Sequence, residues 1–405
     1  MNSPLSVGLV GIGGFGRQHL STLSALQSGG QCRLAAIADP YAPQHASVVA
    51  ALRAENVAIY DDIAQLLTDD KIEACFIATP IPLHVPHALA VLRAGKHVYL
   101  EKPPCVTLEE WKQLSAAEAH SGKRITVGFQ MQTAPAIHFL KASLIAGAIG
   151  RLQSVSVSAR WRRDDAYYAR SPWAGCWMTE GRPVFDGPAT NAISHAVHGA
   201  LFLSGDAAAS WGQLQRVRGR LRRARPIESY DAAFLEAQTA SGVLVRLAFI
   251  HATPEQDRVV LTCVGDNGRA DLGWDGSVRI AVTHKNPQQF NFPCEAHAAA
   301  ALDFLRAVRD PAHRPFTRLE DCLPYLQTVN GALQSSGGAQ AFESSLVRRH
   351  ETETGRGGYY TVDGLDEELA AFAADPAATP SLLAPGEWIE ISDLAEQLTL
   401  PHHTS

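Results

Sequence analysis

The sequence predicts an α/β protein in which an N-terminal doubly wound parallel sheet precedes a C-terminal α+β domain with a large open, mainly antiparallel sheet. Three observations carry this. An apolar strand near the start runs into a glycine-rich turn and a helical stretch. Through residue 128, short apolar or β-branched runs alternate with helical ones, and past residue 150 the strands become longer and more polar. A length of 405 residues suits two domains with an extra segment, and 46% hydrophobic with 19% charged residues is ordinary for a globular chain.

In chain order, Ser6 to Val10 is the first strand, and Leu34 to Ala38, Ala74 to Ala78, His97 to Leu100 and Ile125 to Val127 read as further buried strands. Between them Ile63 to Leu67, Val85 to Arg93 and Leu108 to Ala119 repeat apolar residues at helical spacing, with Gly95 and Gly122 placed to end helices. Leu152 to Trp161, Ala232 to Thr239, Val243 to Ile250 and Arg258 to Val264 are the longer strands. Gly242, Gly265 and Gly268 mark the turns between three of them. Helical stretches at Glu295 to Val308 and Leu319 to Leu333 are expected to pack on the first domain or on the second sheet. The tail, with Pro376, Pro380 and Pro385, reads as an ordered appendage. The expected division is residues 1–125, 126–345 and an extension over 346–405.

A net charge of −6 supplies no basic field to attract nucleic acid or an anionic membrane. The one basic run, Arg216, Arg218, Arg220, Arg222, Arg223 and Arg225, alternates mostly with other residues and suits the wet part of a strand or its turn. Seven scattered cysteines without a CxxC pair predict neither a disulfide framework nor a zinc site. No apolar run approaches the ~20 residues of a membrane span, and no signal peptide is expected, so a cytoplasmic location follows by default.

The first strand enters Gly11-Ile12-Gly13-Gly14-Phe15-Gly16, a Gly-x-Gly-x-x-Gly turn before a helix. Gly11 permits the tight turn, Gly13 lets a pyrophosphate approach the backbone, and Gly16 lets the helix pack on the strand. The phosphates would meet free N–H groups at the positive end of a helix. The second strand ends at Asp39, 23 residues after Gly16, near the ~20-residue spacing at which an acid grips a ribose 2′-hydroxyl. This is a Rossmann unit for a nicotinamide dinucleotide. A carboxylate there repels a 2′-phosphate, so NAD is expected over NADP.

Gly95-Lys96-His97-Val98-Tyr99-Leu100-Glu101-Lys102-Pro103 resembles the glucose-fructose oxidoreductase, inositol dehydrogenase and MocA (Gfo/Idh/MocA) family. Gly16-Arg17-Gln18-His19, Ile37-Ala38-Asp39-Pro40, Ala78-Thr79-Pro80 with His84, and Val127-Gly128-Phe129-Gln130 fit the same family. The resemblance runs through about residue 345 and implies hydride transfer between a sugar or polyol carbon and nicotinamide, in a homo-oligomer, dimer or tetramer. It places Gly11, Gly13, Gly14, Phe15, Gly16, Asp39, Thr79, Pro80, His84, Glu101, Lys102 and Gln130 at the cofactor. Lys102 would also hold the reacting hydroxyl, at a strand's carboxyl end where α/β sheets put ligands.

Further on, Asp186-Gly187-Pro188 reads as a helix start with Asp186 as a cap, and steps of four and three residues put Asn191, His195 and His198 on one face. From the residues alone, His195 is a satisfied helix histidine or a base. The resemblance implies the base, since imidazole is neutral near pH 7. Many family members have an acid four residues before this histidine, where this chain has Asn191. An amide orients the ring without stabilising the imidazolium, so the base is weakened or supported by another carboxylate such as Asp186. His198 is expected to contact substrate or to serve packing, and no acid completes a metal site on that face.

Trp161, Arg163 and Tyr168, with Trp173 nearby, offer rings and forked donors suited to a sugar, or else pack the loop. The leading expectation is an NAD-dependent sugar or polyol oxidoreductase. The alternatives are a glycoside-cleaving enzyme that oxidises the sugar transiently and a non-catalytic NAD-binding regulator.

Overall fold

A computed structural model describes residues 3–353, 355 and 357–395. The chain forms two compact units that interleave in sequence. The first takes residues up to 105, 109–133 and 294–322, and the second takes 106–108, 134–293 and everything from 323.

In the first unit, β1 (Leu5–Val10), β2 (Cys32–Ala38), β3 (Ala58–Tyr60), β4 (Ala74–Ile77), β5 (His97–Leu100) and β6 (Ile125–Val127) form one parallel sheet. Its order is β3-β2-β1-β4-β5-β6. Strands covered on both faces read as unbroken apolar runs, which is why Ala74 to Ile77 contains no polar residue other than a cysteine. The strand order reverses about β1, and the glycine turn leaves the carboxyl end of that strand, where such sheets open a crevice.

Helix Ala296–Arg309 completes this unit from far along the chain. Its Ala300, Ala301, Phe304 and Leu305 share a core with Leu9, Ile37, Phe76 and Tyr99, and Phe304 meets Phe76 edge-on at 5.3 Å. The contiguous division expected from the sequence therefore differs from the compact units. An apolar stripe at helical spacing shows that a helix must be covered, without naming its partner.

In the second unit β7 (Leu152–Arg160) precedes a short pair, β8 (Met178–Thr179) with β9 (Arg182–Pro183). Next come β10 (Leu214–Arg223), β11 (Ala232–Thr239), β12 (Leu244–Ile250), β13 (Val260–Gly265), β14 (Gly268–Gly273), β15 (Ser277–Val282) and β16 (Gln288–Asn291). After these are β17 (Ala339–Ala341), the hairpin β18 (Val347–Glu351) with β19 (Gly358–Val362), and β20 (Ile389–Glu390). The large sheet runs β16-β15-β14-β13-β7-β12-β11-β10-β17, with β20 on β10. It is antiparallel except for β7 with β12 and β10 with β17. The arginine run lies in β10 and just beyond it, and the fold uses part of it. Arg218 pairs with Glu236 at 2.6 Å, and Arg216 and Arg218 both lie over the Trp388 ring at 4.5 Å.

The extension is integral to this unit. Leu365, Leu369 and Phe372 of helix Leu365–Ala374 pack on Ala232, Phe234, Ala248 and Ile250 of β11 and β12. Arg246 fastens the following segment by donating to Ala378 O at 3.0 Å and Thr379 Oγ1 at 2.7 Å, while its Nε donates to Glu236 at 2.6 Å. The face of β11 and β12 is thus closed by the chain itself. A cavity of about 810 Å³ opens beside it on the same sheet, lined in part by Ser158, Arg160, Asp271 and Phe372. Residues 396–405 of the expected extension lie outside the described residues.

Phe372→Ala is expected to cost about 3–5 kcal/mol by leaving a cavity under this helix. A chemical-denaturation midpoint identical to the parent's would show that the extension is no part of the cooperative unit.

Candidate active site

The glycine turn is built by close approaches. A Cβ on Gly11, whose φ is +88°, would lie 2.9 Å from Ala78 O, and one on Gly16 would lie 2.2 Å from Gly11 O. A side chain at Gly16 would push the helix off the strand, and one at Gly11 would push away the backbone that follows β4. Gly13 has different surroundings, since a Cβ there meets His45 Nε2 at 3.5 Å, and at Gly14 it meets nothing within 4 Å. The turn leads into helix Gly16–Ser28, whose positive end suits a pyrophosphate. Phe15 projects from the turn, 40% exposed, with its ring edge-on to His19 and His297 at 5.4 Å.

Asp39 ends β2 against this turn. Its Oδ2 accepts from Ile12 N and its Oδ1 from Tyr41 N, both at 2.8 Å. The carboxylate therefore shapes the turn, and each oxygen keeps a second lone pair for a ribose hydroxyl. These residues fit the adenosine and pyrophosphate half of a dinucleotide.

Two of the expected cofactor residues also tie the surrounding loops together. His84 is 1% exposed, with Nδ1 2.7 Å from Pro103 O and Nε2 2.9 Å from Thr79 O, so it fastens the loops that follow β4 and β5. Only a protonated ring donates to both carbonyls. Burial lowers the His84 pKa, while the two carbonyls and the Glu101 carboxylate oppose that shift. Glu101 is likewise buried, with Oε1 2.9 Å from His19 Nε2, and it accepts from Lys102 N at 3.3 Å. It takes up the space where Gly128 has no side chain, since a Cβ there would be 2.8 Å from Glu101 Oε1. Both brace the loop of Lys102, which is half-buried just after β5. Thr79 Oγ1 lies 3.3 Å from His87 Nδ1, Pro80 leads into a short 3-10 turn, and the Gln130 Oε1 is buried without a hydrogen-bond partner.

The second constellation is rearranged relative to expectation. Pro188–Ala192 is a π-helical turn, Ile193 breaks it, and an α-helix starts at Ser194 and runs to Leu203. Asn191 and His195 thus belong to different elements, and the single three-residue face joins only His195 and His198. Asp186 is no cap. Its Oδ2 accepts from Gly175 N at 2.8 Å and its Oδ1 from Asn191 Nδ2 at 2.9 Å. The spacing alone could not show this, since the extended Gly187 that enters the turn lies against the ring of Tyr230, 43 positions away, where no side chain fits. Lys141 holds the far end of the helix, donating Nζ to Phe202 O at 2.6 Å, as a cation at a helix carboxyl end should.

From His195, 9% exposed, a chain of contacts circles back to Asn191. His195 is edge-on to Trp274 at 6.3 Å, and Trp274 to Trp161 at 5.4 Å. The Arg163 guanidinium lies 5.3 Å from the Trp161 ring and 4.8 Å from the Tyr167 ring. Arg170 stacks on the other side of the circuit, 3.6 Å from Tyr167, and is 3.6 Å from Asp186, which binds Asn191. Trp161 and Arg163 both belong to this circuit of contacts. Tyr167 stands in the aromatic run 161–168 that the sequence singles out, whereas Trp274, Arg170 and His251 were missed, Arg170 lying two residues beyond that run.

Two of the substrate candidates make packing contacts. His198 is 0% exposed and its ring packs on Trp211 at 5.2 Å, so it serves packing. Tyr168 turns beneath the loop, where Arg225 lies 4.6 Å over its ring.

Residues 5–129 match the family model of the oxidoreductase family with an NAD-binding Rossmann fold, and residues 137–271 match that of the GFO/IDH/MocA C-terminal domain. The chain is 34% identical over 148 residues to inositol 2-dehydrogenase 2 of Saccharopolyspora erythraea, covering 36% of this chain and 42% of that protein. It is 33% identical over 147 residues to inositol 2-dehydrogenase of Serratia proteamaculans, covering 36% and 43%. The chain thus spans less than half the length of the curated relatives it matches.

Among solved structures, the WlbA dehydrogenase of Bordetella pertussis in complex with NADH and UDP-GlcNAcA superposes with a TM-score of 0.69 at 24% identity, over 82% of this chain and 97% of that one. Levoglucosan dehydrogenase in complex with NADH and levoglucosan gives 0.70 at 20% identity, over 82% and 97%. No helix among the described residues is long and apolar enough to cross a membrane.

His251, behind the rim, sets an acid limit. Burial, then the charges of Arg163 and Arg170, push its pKa from 6.5 down to about 3. The unfolded chain protonates it near 6.5 and the folded chain does not. Its contribution is whole above that pH and is lost as pH falls towards 3. His251→Asn is expected to flatten the loss of stability between these values, measured as denaturant midpoint against pH. Equal slopes for parent and variant would contradict it.

Proposed function

Since the chain belongs to the Gfo/Idh/MocA family of oxidoreductases, we propose that it is an NAD-dependent dehydrogenase moving a hydride between nicotinamide and a hydroxyl-bearing carbon of a sugar, polyol or sugar derivative. The observation that carries this reading is the glycine turn at the reversal point of the parallel sheet, with Lys102 just past the carboxyl end of a strand in the same sheet. The inositol 2-dehydrogenases among its relatives support the substrate class.

Held at the turn, the dinucleotide would supply a nicotinamide able to accept a hydride. The chain's own groups handle the proton. Lys102, kept in place by the backbone bond to Glu101 and by the His84 bridge to Pro103, orients the reacting hydroxyl. His195, low in exposure at the start of its helix, takes the hydroxyl proton as a general base. Asn191 gives its N–H to Asp186, so the amide oxygen is the atom that would steady the imidazole. A carbonyl dipole stabilises an imidazolium less than a carboxylate does. Asp39 favours NAD because its carboxylate faces the position a 2′-phosphate would occupy.

Lys102→Ala and His195→Ala are each expected to lower kcat/KM by at least ~10²-fold with little change in NAD affinity, measured as NADH formation on an identified sugar or polyol. Full turnover in both variants would exclude the mechanism. In a parallel titration NAD should bind more tightly than NADP, and the reverse order would overturn the assignment of Asp39.

A further inference from the structure

The loop after β7 contains an arginine whose surroundings the reaction scheme does not use. β7 and β12 are parallel neighbours, so Arg160 and Ile250 end side by side, and the carboxyl ends of parallel strands are where ligands collect. The chain beyond them is tightly tied. Trp161 N donates to Ile250 O at 2.9 Å, Arg163 N to His251 O at 3.2 Å, and His251 Nδ1 to Trp161 O at 2.8 Å.

That last bond fixes the character of His251. A carbonyl only accepts, so Nδ1 carries the hydrogen of the neutral ring and Nε2 has a bare lone pair. The residue is 2% exposed, and Nε2 is buried with no hydrogen-bond partner among the described residues. Such an atom calls for a donor.

Arg163 has the opposite need. Its guanidinium lies between the rings of Trp161 and Tyr167, donates to Arg162 O at 3.3 Å, and has its Nε buried without an acceptor. Three nearby arginines have carboxylates: Arg160 with Asp257 at 2.9 Å, Arg170 with Asp186 at 3.6 Å, and Arg225 with Asp165, while the exposed Arg162 lies over the Tyr359 ring. Arg163 forms no ion pair with any described residue. A planar fork held between two aromatic faces is already oriented for a bidentate carboxylate.

We propose that the substrate is a sugar acid, its carboxylate bound by Arg163 and a neighbouring hydroxyl donating to His251 Nε2. This rests on the dehydrogenase reading and narrows its substrate class. The Trp161 and Trp274 rings lie between Arg163 and His195, so the apolar C–H face of the sugar has aromatic surface along the way from the acid group to the base. Arg170 adds positive potential while remaining paired to Asp186. His195 and the carboxylate would act at separate ends of one polyhydroxylated molecule.

The test uses the full-length protein loaded with NAD, with calorimetric binding and NADH formation followed for matched pairs: D-glucuronate with D-glucose, D-galacturonate with D-galactose, and D-gluconate with D-glucitol. At least one acid is expected to bind about tenfold or more tightly than its neutral partner. Arg163→Gln should bring that pair within about twofold, and Arg163→Lys, which keeps the charge without the fork, should fall between. Neutral partners bound as tightly as the acids, no acid bound at all, or an acid preference that survives Arg163→Gln would overturn the proposal.

The two readings fail separately. Acids that bind through Arg163 without forming NADH would remove the dehydrogenase assignment and keep the acid subsite. NADH formed only from neutral sugars would do the reverse.

Discussion

Everything in the first unit depends on how close the helix after β1 comes to the strand that precedes it. Gly16 sits where a methyl group would be 2.2 Å from the Gly11 carbonyl, and Gly11 in turn lies against the backbone of Ala78 beyond β4. These contacts bring the helix start, the end of β1 and the end of β4 to one point. Asp39 secures the arrangement from β2 by bonding Ile12 N. Three neighbouring strands therefore end together at the turn, and the buried His19 with Glu101 ties the end of β5 to the same helix. The shape of the turn follows from packing so tight at Gly11 and Gly16 that neither position admits a side chain.

Where local chemistry decides the outcome, the sequence was legible. The glycine spacing, the acid closing β2 and the apolar runs of the parallel strands each follow from short-range sterics or from burial on both faces. The supporting roles of His84 and Glu101 were not legible, since their partners are Pro103 and Thr79 carbonyls or a histidine 82 positions away. Motif position shows that such residues matter at a site. It does not show whether they touch the ligand or hold what does.

The second unit was read less well for the same reason. Asn191 and His195 are four apart, a spacing that suggests one helical face, yet the π-helical turn over Pro188–Ala192 puts them in different elements. Trp274 joins His195 and Trp161 from another pair of strands, so no spacing rule connects them. The parallel contact of β7 with β12 inside a largely antiparallel sheet was equally hidden, although it gathers Trp161, Arg163 and His251 at one edge. Pairwise aromatic and guanidinium contacts, each of modest energy, build the rim collectively.

The interleaving of the two units has a consequence for how the chain is made. A ribosome delivers β1 through β6 first, yet the core of that sheet lacks Ala300, Phe304 and Leu305 until some 170 further residues have emerged. The second sheet waits similarly, because Phe234, Ala248 and Ile250 are uncovered until helix Leu365–Ala374 arrives. Both hydrophobic faces are thus exposed together during synthesis, and neither half has an early, finished form. For this protein, vectorial folding one domain at a time is closed off by the order of its own segments, and nascent-chain protection becomes a requirement of the architecture.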